Sequence, residues 1–158
     1  MANTQSMTTS FMGELMTATH NFGTAPTRGT SAADTFKAAL YLASATVNAS
    51  TTAYSSTGEV TGTGYTAGGV AVTNATPPTA TNSSATAGVA FFTPSASITY
   101  TTVTLTTAFD AVLIYNSTQS NKAVSVHTFG SQTITAGTFT LTMPANTTTT
   151  ALLRLSTT

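Results

Sequence analysis

The chain reads as an all-β protein. The expected architecture is an antiparallel β-sandwich, jelly-roll-like in build, with an extended N-terminal arm that has room for one short helix. Three observations predict it. Short stretches alternate apolar and polar residues with a period of two. Clusters of Gly, Pro, Asn and Ser separate them at short intervals. No helix-spaced apolar run occurs after residue 30. The predicted organisation is an arm over residues 1–30 and a β-sandwich domain over 31–158.

Residues 1–9 are polar. Between 10 and 21, Phe11 and Leu15 share a helical face, as do Met12 and Met16. Glu14 falls in the first turn of that helix, where the dipole favours an acid. Residues 23–30 read as a loop around Pro26. Ordering such an arm costs ~1–2 kcal/mol per residue, more than its few apolar groups return. It therefore needs an external support, and a neighbouring chain is the expected one.

The first strand spans residues 34–43, with Phe36, Ala38, Leu40 and Leu42 on one face and Lys37, Ala39 and Tyr41 on the other. Residues 58–69 form a glycine-rich centre. A phosphate-binding or dinucleotide loop would need a helix after it, and a phosphate loop a following Lys. Here the strand-like Val70-Ala71-Val72-Thr73 follows, so the glycines are expected to make a bend with positive φ. Residues 74–88, with tandem Pro77-Pro78, should be a surface loop. Residues 89–92 make a short strand.

Residues 97–106 alternate strictly but slip phase at Thr101-Thr102, the mark of a bulge or of a bend between sheets. The apolar run 111–115, the turn-forming stretch 116–122 and the alternating stretch 123–129 predict a hairpin. In its second strand Val124, Val126 and Thr128 share one face. Gly130 should break that strand. A second hairpin should follow, with Ala136-Gly137 as its turn and strands at 132–135 and 138–143. Residues 151–155 close the domain. The expected core is Phe36, Leu40, Leu42, Val72, Phe91, Val112, Ile114, Val124, Val126, Phe139, Leu141, Leu153 and Leu155.

A chain of 158 residues is long enough for one domain that buries about 70% of its unfolded surface. Only 5% of its residues are charged, against about 25% in an ordinary domain. Threonine and serine supply the polarity instead, and the branched Cβ of threonine favours extended backbone. Arg28, Lys37, Lys122 and Arg154 are scattered singly and net charge is zero. That excludes the basic stripe of a nucleic-acid binder. No apolar run approaches the ~20 residues of a membrane span. With no cysteine there is no disulfide framework. The first residues lack a signal-peptide pattern, so folding in a cytosol is expected, and the five Asn-x-Ser/Thr matches are read as chance.

Groups capable of catalysis are few. His20 and His127 are the two histidines, and Glu14, Glu59, Asp34 and Asp110 the four acids. Only Glu14 is near a histidine in sequence. The acids do not cluster as a calcium loop requires, and two histidines without cysteine make a poor zinc set. No Gly-x-Ser-x-Gly elbow exists; Gly130-Ser131-Gln132 lacks it. His127 is expected to be a packed or exposed strand residue, Asp110 a polar residue introducing a strand, and Glu59 a loop residue. The expectation is no enzyme, no catalytic residue, no cofactor and no metal. A sugar-binding module is the competing class, although the chain has no Trp and its five Tyr residues are dispersed.

Three stretches carry a resemblance: Thr35-Phe36-Lys37-Ala38-Ala39-Leu40-Tyr41, residues 52–69 ending in Tyr65-Thr66-Ala67-Gly68-Gly69, and Ala111-Val112-Leu113-Ile114-Tyr115-Asn116. Together they resemble a small β-sandwich structural protein of tailed-bacteriophage virions, of the capsid decoration or cement type. The Thr-rich arm departs from that pattern. The resemblance implies a virion component, assembled in the host bacterial cytoplasm, that contacts the major capsid protein or other virion proteins and copies of itself. It implies no nucleic-acid or membrane partner. Two alternatives stand beside it: a tail, collar or fibre-associated component, and a carbohydrate-binding module.

Overall fold

The computed structural model describes residues 2–16, 18–22, 33–74, 77–81 and 88–156. The expected loop at 23–30 lies outside the described residues, apart from its neighbours at 22 and 33. The fold is all-β and sandwich-like, built from two antiparallel sheets.

The larger sheet is organised by two long strands, β6 (Ile98–Asn116) and β7 (Lys122–Leu141), paired as one hairpin. The turn is made by local chemistry. Asn116 Oδ1 accepts from the Thr118 and Gln119 amides at 3.1 and 3.2 Å, an Asx turn. Ser120 and Asn121 complete it with positive φ. Against β6 lies β2 (Phe36–Leu42), and beyond it β3 (Val70–Val72). On the far side β1 (Ser6–Met7) adds to β7 at Val126 and Ser125. The smaller sheet has the order β4 (Thr79–Thr81), β5 (Val89–Phe92), β8 (Leu153–Ser156). β4 sits directly after Pro78, inside what the sequence suggested was only a loop.

β2 is buried on both faces. Phe36, Ala38 and Leu40 join the main core, together with Val112 and Ile114 of β6. Ala39 and Tyr41 join a second core, with Leu113, Tyr115 and Val126 under the loop that carries Val47 and Tyr54. The smaller sheet docks on the main core through Phe92. Its ring lies 5.0 Å from Phe22, which stacks on Phe36 at 4.3 Å.

Three expectations about β7 are overturned. Gly130 does not end it: it lies in a register shift, where residues 129–131 face only Asp110 of β6, pairing holds on both sides at Thr128 and Gln132, and the glycine needs no positive φ. Ala136-Gly137 is not a turn. Ala136, with φ 46°, is an extra residue where the register with β6 shifts, and its amide donates to Thr104 Oγ1 at 3.0 Å. Residues 138–141 therefore continue the same strand. Val124 and Val126 do not share a face. Tyr115 pairs with Ala123 and Ile114 with Ser125, so one residue is extra. That bulge sends Val124 to the main core and Val126 to the second. The phase slip at Thr101-Thr102 is a bulge within one sheet, with Thr102 at φ 53°. Leu155, expected in the core, is 44% exposed.

The described part of the arm packs on its own chain. α1 (Thr9–Met16) is shorter than expected, and Glu14 lies beyond its first turn. Phe11 is buried in the main core with Leu15 against it, while Met12 on the opposite face is exposed. Thr8 donates to the Ala123 carbonyl at 3.1 Å, Thr4 N–H to the Val47 carbonyl at 3.1 Å, and Thr9 N–H to the Ala49 carbonyl at 2.8 Å. The support expected from a neighbouring chain comes from β7 and the 43–52 loop.

Candidate functional site

Each group capable of chemistry is engaged by the fold. Glu14 and His20 do meet: Oε2 and Nε2 are 2.7 Å apart, and Lys122 donates to the other Glu14 oxygen. The far nitrogen of His20 faces Asn116 Nδ2 at 3.0 Å. Asn116 donates to Asp34 at 2.7 Å, and Asp34 also accepts from the Asn21 amide at 2.9 Å. This chain of contacts ties the arm to the β6–β7 turn. Among the described residues no group of three His, Cys, Asp or Glu side chains is placed to hold a metal. Asp110 accepts from Asn3 at 2.6 Å.

His127 holds a contact that sequence reading missed. Its Nε2 lies 2.9 Å from Ser125 Oγ, two residues away on the same face of β7. The i, i+2 spacing was the available signal. Ser125 is 1% exposed, so the contact satisfies a buried hydroxyl with a half-buried imidazole, at the wall of a cleft that Arg154 also lines. Burial pushes the His127 imidazole down to about 4, from an ordinary value of about 6.5. Folding therefore favours the neutral ring, and the unfolded chain takes up the proton first. His127 gives full stability above about pH 6.5 and loses it as pH falls toward 4. Burial opposes the Glu14 charge, but Lys122 and His20 outweigh it and hold that carboxyl below its usual range. Its contribution is lost only as pH falls through that lower value. A melting temperature recorded against pH should thus decline between 6.5 and 4 in the native chain, and less in His127→Gln. An equal slope in both would remove His127 as the cause.

Glu59, expected as a loop residue, is the most connected acid. It is buried, and its Oε1 accepts from Tyr65 Oη and the Gly68 amide, both at 2.7 Å. Its Oε2 accepts from Tyr54 Oη at 2.6 Å. No described cation pairs with it. The other tyrosines serve the same region. Tyr115 donates to the Gly68 carbonyl at 2.8 Å, Tyr100 to the Ala38 carbonyl at 2.8 Å, and Tyr41 to the Ser55 carbonyl. Burial first, then Glu59, pushes the Tyr54 and Tyr65 phenols well above their ordinary range; for Tyr41 burial is again the largest cause, and the phenol is pushed up to about 12. Tyr54, Tyr65 and Tyr115 therefore fasten the glycine-rich segment, Tyr41 ties β2 to the chain just before it, and Tyr100 ties β6 to β2. They do not form a stacking platform for sugars. An open cleft of about 470 Å³ beside this region is lined by Tyr41, Ala45 and Val47 together with the hydroxyl residues Ser44, Thr46 and Thr51.

The glycine-rich segment also closes an edge. Gly58 and Val60 bond Leu42 and Leu40 of β2, and Thr63 pairs with Thr104 where β2 no longer covers β6. On the other side of the hairpin nothing comparable occurs. β1 covers only Ser125 and Val126. From Thr128 to Leu141, β6 is the one described strand partner of β7. Comparison of the chain with protein-family models, with curated proteins and with solved structures found no match. The candidate site therefore rests on geometry. It is the open β7 edge, where Gly130, Ser131, Gln132, Thr133, Thr135 and Thr138 are exposed and no residue is charged.

Proposed function

We propose that the chain is a structural protein of a tailed-bacteriophage virion, of the capsid decoration or cement type, working through contacts between subunits. One observation carries the reading: a long, uncharged, one-sided strand edge on a neutral protein. Monomeric proteins guard such edges with lysine, proline, an inward charge or a bulge. Residues 128–141 contain no lysine, proline or charge, and only the register shifts at 129–131 and at Ala136 interrupt them. An edge of this kind offers main-chain donors and acceptors to another strand, and side chains on alternate positions give selectivity. The resemblance of residues 35–41, 52–69 and 111–116 supplies the virion context. Those residues serve the scaffold: Tyr54, Tyr65 and Tyr115 hold the glycine-rich segment in place, and Tyr41 ties β2 to the chain just before it. The job of those stretches is then to give the open edge a rigid platform.

Peptide mass spectrometry of purified particles tests this. The expected result is the chain in the virion; its absence from particles ends the reading. Copy number then separates a shell position, on the order of hundreds, from a tail, collar or fibre position, on the order of ten.

A further inference from the structure

We propose that the open edge of β7 binds the same edge of a second copy, antiparallel, across a twofold axis at Ala136. This deepens the structural reading by naming the occupant of that edge. Three observations select it.

The first is length. The remaining outer strands of the described sheets are β1, β3, β4 and β8, of two to four residues each, β8 carries Arg154, and the stretch of β6 beyond β2 is crossed by the glycine-rich segment at Thr104. None can match β7. The second is charge. Antiparallel pairing across a twofold sets residue i against j and j against i, so any charge on the edge would meet its own sign nearby. Residues 128–141 carry no charge, and about Ala136 they set Thr133 against Phe139, Ile134 against Thr138 and Gln132 against Thr140. The third is shape. The β7 edge is interrupted: Ala136 is extra relative to β6, between the runs 132–135 and 137–141. A regular foreign strand would lose register there. A second copy turned about Ala136 brings the run 132–135 against 137–140 of its mate, with bulge facing bulge. The irregularity that spoils pairing with other strands is matched by its own image.

The purified chain is sufficient for the test, so failure here is distinct from absence from a virion. The chain contains no cysteine, which makes Ala136→Cys a clean reporter. On the axis, its sulfur meets the sulfur of the mate within the ~4–7 Å Cα separation a disulfide spans. Under mild oxidation Ala136→Cys is expected to run as a covalent dimer, and Thr61→Cys, on the exposed glycine-rich segment, is not. Sedimentation of the unmodified chain should show a dimer at micromolar concentration. Thr135→Lys and Ala136→Lys, beside and on the axis, should each weaken it about tenfold or more through like-charge apposition, with unchanged unfolding curves. A chain that sediments as a monomer, a dimer indifferent to both lysines, or equal cross-linking at residues 136 and 61 would each overturn the proposal.

Discussion

Gly69→Ala is expected to leave little folded protein. An added Cβ would overlap the carbonyl of Ala38 in the centre of β2, a backbone buried on both sides. Gly69 also has φ 72°, which costs an L-residue roughly 1–2 kcal/mol on its own. The strand cannot retreat, because its neighbours on both faces are packed at interior density. The combined loss should exceed about 4 kcal/mol, a large share of the ~5–15 kcal/mol that holds an ordinary domain together. The same residue change at Gly130 is the control. Nothing lies within 4 Å of its added Cβ, and its φ is not positive. Gly130→Ala should fall within about ±1 kcal/mol of the native chain. Urea unfolding of the two variants checks both values, and comparable losses at 69 and 130 would refute the close approach.

Removing the Glu59 carboxylate is expected to be the second largest effect. Glu59→Ala orphans two phenols and an amide in a buried site, and breaking such a network typically costs about 3–5 kcal/mol. Glu59→Gln should cost less, about 1–3 kcal/mol. Its oxygen can still serve Tyr65 and Gly68, and its amide can donate to Tyr54 once that hydroxyl turns. Tyr65 has less freedom, since its oxygen already accepts from the Leu40 amide at 3.0 Å. Tyr54→Phe in the Gln background should therefore cost less than in the native chain. At about 2–4 °C per kcal/mol for a domain of this size, calorimetry resolves all three. Equal losses for Gln and Ala would show that the hydrogen bonds are not what Glu59 contributes.

The fold was legible wherever local pattern and partner agreed. The alternation of residues 36–42 placed β2, the polar stretch after Tyr115 placed the long hairpin, and the slip at Thr101-Thr102 announced a bulge. Reading failed where a partner strand overrides local preference. Gly130 and Ala136-Gly137 carry turn signals, yet β6 opposite them runs on, so each becomes a register shift inside one strand and not a turn. The exchange of faces between Val124 and Val126 needs one extra residue opposite Ile114 and Tyr115, which alternation within a single strand cannot reveal. The tyrosine ring around Glu59 was hidden for a different reason. Its members sit at 41, 54, 65, 100 and 115, brought together only by sheet pairing. The open edge of β7 was half visible: the absence of charge can be read directly, but one-sided pairing is a property of topology.

The order of strands in the larger sheet has a consequence for synthesis. β1 and β2 leave the ribosome first, yet their mates, β7 and β6, are made last but for β8. Until residues beyond 98 emerge, β2 has only the three-residue β3 and the glycine-rich segment as partners, and Phe11, Phe36 and Leu40 lack the long hairpin they pack on. The nascent N-terminal third must stay unassembled through most of translation, and a hairpin formed near the end then becomes the template on which the earlier segments settle.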